Sequence, residues 1–294
     1  MRKTKSPSLS VILVSYNSLV PLRSSIPSLL KAIPEKEKEV IVVDNNSQDG
    51  SREFIRGCHP DIKLIANSRN IGFGAANNQG AAETHGEFLL FLNPDTVVYS
   101  DSLIRLLTSL KSDHKQAAAG PALIQRKAKF QVSFGGRVHF FSEMIKKLGG
   151  NFLLSRWLER RRTAKNVEWL SGACLMVRRG AWNQVSGFDE NFFLYFEDID
   201  LCRRLRDKGW KLRYIPSARV FHHGGLSAES APMENRIHYR SSQLRFYRKH
   251  NRGFSRSCLK LYLLCEYYLY SLFRKWKGRE SLRARYRKII EEPE

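Results

Sequence analysis

The 294-residue chain is short of acids, of cysteine and of long apolar runs, and each shortage excludes something. Against 50 Lys and Arg stand only 28 Asp and Glu, a formal net charge of +22 at pH 7. Such a balance implies anionic partners: nucleotide phosphates, nucleic acid or an acidic membrane surface. The five cysteines, Cys58, Cys174, Cys202, Cys258 and Cys265, are scattered and odd in number. They show no CxxC or Cys/His ligand spacing, which excludes a disulfide frame and a zinc module and suits a reducing compartment. No uninterrupted apolar run is long enough to span a bilayer. The amino-terminal MRKTKSPSLSVILVSYN has the outline of a signal peptide. Its apolar stretch is too short and no small-residue cleavage site follows, so Ser10 to Ser15 reads as a buried strand. Helix-turn-helix, zinc and RNP-type signatures are missing, which argues against nucleic acid as the partner. There is no internal repeat and no low-complexity segment.

What is present is a regular alternation. LSVILVSY, EVIVVD, IKLIAN and EFLLFL are short, apolar and rich in β-branched residues, as buried strands are. Between them PLRSSIPSLLKAI, SREFIRGC and GFGAANNQGAAETH read as helices, and SLIRLLTSL follows the fourth strand as another. Strands and helices in this order predict an α/β fold with a Rossmann-like, mostly parallel sheet covered on both faces. Residues 126–168 are basic and aromatic, broken at Gly135-Gly136 and Gly149-Gly150, and read as a mobile or partner-facing insertion. WLSGACLMVRR and WKLRYIP are further strands, and ARVFHHGG is a short extended piece. Beyond Pro232 the texture becomes helical. The chain is thus expected to hold an α/β domain at 8–230 and a basic, amphipathic helical region at 231–294.

Ligands of such sheets bind beyond the carboxyl ends of the strands, and the polar clusters lie there. Asp44 closes the second strand ahead of Asn45-Asn46-Ser47, placed either to accept a hydrogen bond from a ligand N–H or to close an Asx turn. Asn93-Pro94-Asp95 ends the fourth strand, where a carboxylate can hold a divalent metal that bridges a diphosphate, or merely turn the chain. His222 and His223 are available as further ligands. GFGAANNQG matches neither GxGxxG nor a P-loop, yet lets backbone approach a nucleotide. FFLYFEDIDLCRRL at 192–205 sets Glu197, Asp198 and Asp200 against an aromatic wall. One reading is a helix start, with acids in the first turn and Asp200 paired to Arg203 or Arg204. The other is an acid tuned for proton transfer at the floor of a cleft.

In combination, SVILVSYN, VIVVDNNSQDGS, NIGFGAANNQG, FLLFLNPDT, WLSGACLMVRR, GFDENFFLYFEDIDLCRRLRDKGW and YIPSARVFHHGG are collinear from Ser10 to about Ser227. Together they resemble the family 2 glycosyltransferases of the GT-A (nucleotide-diphospho-sugar transferase) fold, in the rhamnosyltransferase-like group. The resemblance implies that Tyr16 and Asp44 hold the base of a nucleotide sugar and that Asn70 and Gly72 lie along the nucleoside. It implies that Asn93 and Asp95 occupy a metal-binding DxD position, with Asn93 departing from the pattern, and that Asp95 and His222 meet a divalent metal, Mg or Mn. His222 fits better than His223. Asp198 would be the catalytic base beside Glu197, with Trp169, Gly172 and Ala173 on the acceptor side. Phe192, Phe193 and Phe196 would raise the Asp198 pKa, and Asp200 would stay paired to Arg204.

The implied reaction is inverting transfer of a sugar, rhamnose from dTDP-L-rhamnose or another hexose from a UDP or dTDP donor, to a hydroxyl of a lipid-linked glycan. From Arg236 to Glu294 there are roughly sixteen basic and five acidic residues, about half of the net charge in a fifth of the length. That region is expected to bind an anionic membrane surface and to place the enzyme in the cytoplasm, peripheral to the inner face. The competing classes are a catalytically inactive nucleotide-sugar binder and a basic nucleic-acid-binding protein.

Overall fold

The computed structural model describes residues 8–33, 38–99, 101–125, 129–145, 163–224, 232–251, 253–272 and 280–291. Strand β1 (Leu9–Ser15) leads into α1 (Leu19–Ala32), β2 (Lys38–Asp44) into α2 (Ser51–Cys58), and β3 (Lys63–Ala66) into α3 (Phe73–Ala82). Then come β4 (Phe88–Leu92), β5 (Thr96–Val98), α4 (Ser102–Ser112) and β6 (Gln116–Ile124). Short pieces follow: β7 (Phe130–Gln131), β8 (Phe134–Gly135), α5 (Phe140–Ile145), β9 (Lys165–Asn166) and β10 (Trp169–Leu170). The α/β part closes with β11 (Cys174–Arg178), α6 (Arg179–Gln184), α7 (Glu197–Asp207) and β12 (Lys211–His222).

The main sheet runs β3-β2-β1-β4-β11-β6-β12-β5. The β3-β2-β1-β4 half is parallel, as the apolar runs predict. Strand β11 breaks the pattern by lying antiparallel between β4 and β6, so the sheet is mixed although mostly parallel. Alternate residues of each strand face opposite layers. Val11 and Leu13 pack with Leu22, Ile26 and Leu29 of α1 and Leu106 of α4. Ile12 and Val14 pack with Ala76 of α3 and Leu201 and Leu205 of α7.

Three sequence expectations change, and one strand was not expected at all. Strand β6, QAAAGPALI, escapes a propensity reading because alanine, glycine and proline are poor strand formers. It is buried along nearly all its length, and a Cβ at Gly120 would come within 2.8 Å of the Leu170 side chain. WLSGACLMVRR is not one strand: it divides into β10 and β11 at Ser171-Gly172-Ala173. WKLRYIP and ARVFHHGG instead form the single strand β12, with an irregularity between Ile215 and Arg219 that accommodates Pro216. The described part of the 126–168 insertion is built into the fold rather than loose, with Phe134 buried 4.1 Å from the Tyr214 ring. Its Gly149-Gly150 break lies outside the described residues, as does the expected boundary near 230.

The carboxyl-terminal helices are α8 (Pro232–His250), α9 (Phe254–Leu272) and α10 (Glu280–Glu291). They share a core with the segment leading into α7: Phe192 and Phe196 pack with Ile237, Leu244, Phe246 and Leu263. At the centre of this layer Glu266, an acid in an apolar run, is buried with its charge matched. Arg236 and Arg240 bind Oε1 at 2.6 and 2.8 Å, and the Tyr286 hydroxyl donates to Oε2.

Candidate active site

Strand pairing assembles the site. Ser15 is opposite Asp44 and Leu13 is opposite Leu92, so the segments after β1, β2 and β4 lie side by side at one rim. Antiparallel β11 begins where β4 ends, Cys174 opposite Leu92, which brings Ser171-Gly172-Ala173 to the same rim. His222 ends β12 opposite Thr96, just after Asp95. A cavity of about 510 Å³ opens here, with Asn93, Trp169, Gly172, Ala173, Asp198 and His222 in its wall.

Beside it, Asp44 is fully buried. Its Oδ1 accepts hydrogen bonds from the Ser47 N–H and from Arg52 Nε, and its Oδ2 accepts from the Ser47 hydroxyl. The turn reading therefore holds, and the carboxylate is engaged in fixing the loop that a base would meet. Asn17, at φ 49°, interlocks with that loop through the Ser47 hydroxyl and the Gln48 N–H. Tyr16 is left 45% exposed at the rim. Asn70 Oδ1 accepts from the Gly72 N–H at 2.9 Å and from Asn45 Nδ2 at 3.2 Å. Gly72 has φ 90°, and a Cβ there would lie 2.6 Å from the Phe193 carbonyl oxygen. Glycine is required at that point by both backbone conformation and space. Neither Asp44, Tyr16 nor Asn70 lines the 510 Å³ cavity; they form the adjoining stretch of rim.

Asp95 and His222 meet, with Oδ1 and Nε2 3.2 Å apart. His222 Nδ1 lies 2.7 Å from Gln131 Oε1. With Nδ1 engaged by Gln131, Nε2 is the ring nitrogen that would be left to bind a cation seated between it and the carboxylate. Metal-binding histidines have this arrangement, the second nitrogen donating to an oxygen. A separation near 3 Å also suits two ligands of one cation with ~2.1 Å bonds. The donor set thus fits a divalent ion, with two protein ligands and room for phosphate oxygens. Among the described residues no group of three or more His, Cys, Asp or Glu could hold a metal without such help. Burial works to raise the Asp95 pKa, but the His222 hydrogen bond and charge hold it below the usual value. His223 turns away and packs edge-on against Phe221, 4.8 Å between ring centroids.

The acid cluster starts α7, as one sequence reading expected, and Asp198 also faces the cavity, as the other did. Tyr195 and Phe196 precede the helix in left-handed conformations, φ 69° and 65°. Two adjacent non-glycine residues in that region store roughly 1–3 kcal/mol each. Asp198 Oδ2 accepts the Gly172 N–H at 2.7 Å and Oδ1 accepts the Ile199 N–H at 2.8 Å. Burial raises the Asp198 pKa, partly countered by these bonds. Glu197 is buried, its Oε2 has no hydrogen-bond partner, and burial plus the negative charge of Asp198 push its pKa well up. The aromatic wall is only partly as expected. Phe196 lines the cavity; Phe192 belongs to the core beneath, and Phe193 is 37% exposed and stacks on His238.

Asp200 pairs with Arg204 at 2.6 Å, as its spacing implied. It is also held by His250 at 2.7 Å and Lys249 at 2.8 Å, from the end of α8. Against the burial penalty these partners keep its pKa low. Sequence reasoning missed those two residues, together with Arg52, Gln131, and the cavity-lining Glu143 and Tyr239. Only Arg52 carried a local signal, a basic residue in the first turn of the helix after the Asp44 loop.

Residues 10–185 match the family described as Glycosyl transferase family 2. The N-acetylglucosaminyl-diphospho-decaprenol L-rhamnosyltransferase of Mycobacterium tuberculosis H37Rv is 29% identical over 270 residues, covering 86% of this chain and 88% of that protein. The rhamnosyltransferase WbbL of Escherichia coli K12 is 30% identical over 168 residues, covering 52% and 61%. Among solved structures, the mannosyltransferase PcManGT of Pyrobaculum calidifontis, in complex with GDP-Man and Mn²⁺, superposes with a TM-score of 0.62 at 15% identity. That match covers 99% of this chain and 89% of that one.

Proposed function

The chain belongs to glycosyl transferase family 2, and from that premise we propose that it moves a sugar, with inversion, from a nucleotide donor to a hydroxyl of a lipid-linked glycan. Rhamnose from dTDP-L-rhamnose is the donor we favour, because both rhamnosyltransferase relatives lie at 29–30% identity. A lipid-linked acceptor stands in the name of the mycobacterial relative, whose length this chain nearly spans. The observation that carries the reading is the single cavity with Asp198 and the Asp95–His222 pair in or beside its wall.

The chemistry follows from those positions. Two backbone N–H groups hold Asp198 with both oxygens oriented, so it needs no rearrangement to take a proton. It removes the proton of the acceptor hydroxyl as that oxygen bonds to the anomeric carbon. The bond from that carbon to the diphosphate breaks on the opposite face, and the nucleoside diphosphate departs. A pKa raised above the ordinary aspartate value makes Asp198 a stronger base near neutral pH. Asp95 and His222 would hold a divalent cation, which would supply positive charge against that gained by the leaving diphosphate. The loop clamped by Asp44 and Arg52, Tyr16, and the Asn70–Gly72 turn would receive the nucleoside.

Thermal shift with a panel of nucleotide sugars, with and without Mg²⁺ or Mn²⁺, tests the donor side. A fitting donor stabilises the fold by its binding free energy. We expect dTDP-L-rhamnose with metal to raise Tm most, and His222→Ala to abolish the metal-dependent part. Equal shifts in that variant would remove His222 from the metal site. No shift with any nucleotide sugar would overturn the reading.

A further inference from the structure

Helix α9 is inside out. It buries its acid, Glu266, and its exposed positions carry no charge: Phe254, Ser257, Leu261, Cys265, Tyr268, Leu269 and Leu272. Their spacing of three and four residues makes one stripe along the helix. At 1.5 Å per residue the stripe is about 27 Å long. Phe254 is 71% exposed, Leu261 63%, Tyr268 67% and Leu272 74%. Helix α5 widens the stripe: Phe141 stacks on Phe254 at 6.2 Å, and both Phe141 and Ile145 are exposed. The neighbouring α10, stacked through Tyr286 on Tyr267, exposes mainly basic side chains: Arg283 and Lys288, with Arg285 and Arg287, which pair with Glu234 and Glu291. No helix among the described residues is long and apolar enough to cross a membrane.

We propose that this stripe is a bilayer-docking surface, seating α9 and α5 in the head-group layer of an anionic membrane. An apolar face bordered by basic residues is the pattern of helices that lie in the interface. Charge selects this occupant over a second copy of the chain, because a dimer would bring two surfaces of +22 chains together. The placement deepens the transferase reading, on which its purpose rests. Helix α5 presents Phe141 and Ile145 outward while its Glu143 lines the cavity. A single helix therefore separates the bilayer from the site, and an acceptor tethered to lipid would enter past α5.

The test is sedimentation of the full chain with phosphatidylglycerol/phosphatidylethanolamine vesicles, compared with Leu261→Glu/Leu272→Glu. Both positions are exposed, so Tm and transfer to a short-chain, water-soluble acceptor should stay unchanged. Vesicle partitioning should fall about tenfold or more, as should transfer to a long-chain acceptor embedded in vesicles. Equal partitioning of the two proteins overturns the proposal. So does a wild-type dimer in light scattering that the double variant splits without loss of vesicle binding. Stripe-dependent partitioning by a wild-type chain that transfers no sugar to any acceptor would leave the surface standing and remove the transferase reading instead.

Discussion

Two buried glutamates, Glu197 in the wall of the cavity and Glu266 in the carboxyl-terminal helices, have met opposite fates. Glu266 is surrounded by Arg236, Arg240, Tyr262 and Tyr286, and this pairing, against the cost of burial, brings its pKa to about 2. Glu197 has an oxygen without a partner, a carboxylate beside it, and a pKa pushed up. A matched buried charge holds three helices in register. An unmatched one is costly, and it persists here at the start of α7, where Tyr195 and Phe196 are also strained. Cost concentrated around one cavity is the mark of a site shaped for chemistry rather than for stability.

The comparison is sharpened most by Asp198→Asn. Removing a positioned base typically costs 10²–10⁴ in rate. Transfer should fall by about that factor while donor-induced thermal stabilisation remains, because in the proposed reaction Asp198, held by the Gly172 N–H, serves the acceptor hydroxyl and not the donor. Turnover within a factor of two of wild type would take Asp198 out of the reaction. Glu266→Gln should show the converse. It leaves Arg240, 5% exposed, with an unmatched charge, and breaking such a pair costs about 3–5 kcal/mol. The urea midpoint should drop accordingly. The wild-type contribution also has a pH signature. A carboxylate lowered from 4.5 to about 2 stabilises the fold above its unfolded value, and that contribution disappears as pH falls from about 4.5 toward 2. The Gln variant should therefore lose stability less steeply over that window, and parallel curves would show that Glu266 is not the group responsible.

Much of the rim was legible because it obeys local rules. β1, β2 and β4 are continuous apolar runs ending in polar residues, and Asp200–Arg204 is an i,i+4 pair. His222 was chosen over His223 as the partner of Asp95 only through the family resemblance, since the 126 intervening positions carry no spacing signal. β6 was unreadable for a physical reason: alanine and glycine are poor strand formers, and Gly120 stands where a Cβ would run into Leu170. The acid cluster's partners were equally hidden. Lys249 and His250 reach Asp200 from the far end of α8, and Tyr239 enters the cavity from a helix that charge counting assigned wholly to the membrane. The arginines at 236 and 240 illustrate the same limit. They add to the basic total, yet they are committed to Glu266 rather than to lipid.

The smallest effect is the most discriminating between neighbours in the chain. Burial raises both acids of the Glu197–Asp198 pair, but two N–H groups favour the ionised form of Asp198 and the charge on Asp198 then opposes ionisation of Glu197. As pH rises, Asp198 loses its proton first and Glu197 stays neutral. Glu197→Gln imitates that working state. Transfer at neutral pH should therefore stay within about tenfold of wild type, with the acid limb of the pH–rate profile, set by Asp198, in the same place. Stability should change in the other direction. A carboxyl whose folded pKa is raised favours folding at low pH and loses that contribution as pH rises through the folded value. The Gln side chain has no charge to desolvate, so the variant should be more stable than wild type on the alkaline side, by about 1 kcal/mol or more, and nearly equal to it in acid. A collapse of transfer as deep as that of Asp198→Asn would instead make Glu197 the base and leave Asp198 as the acid that tunes it.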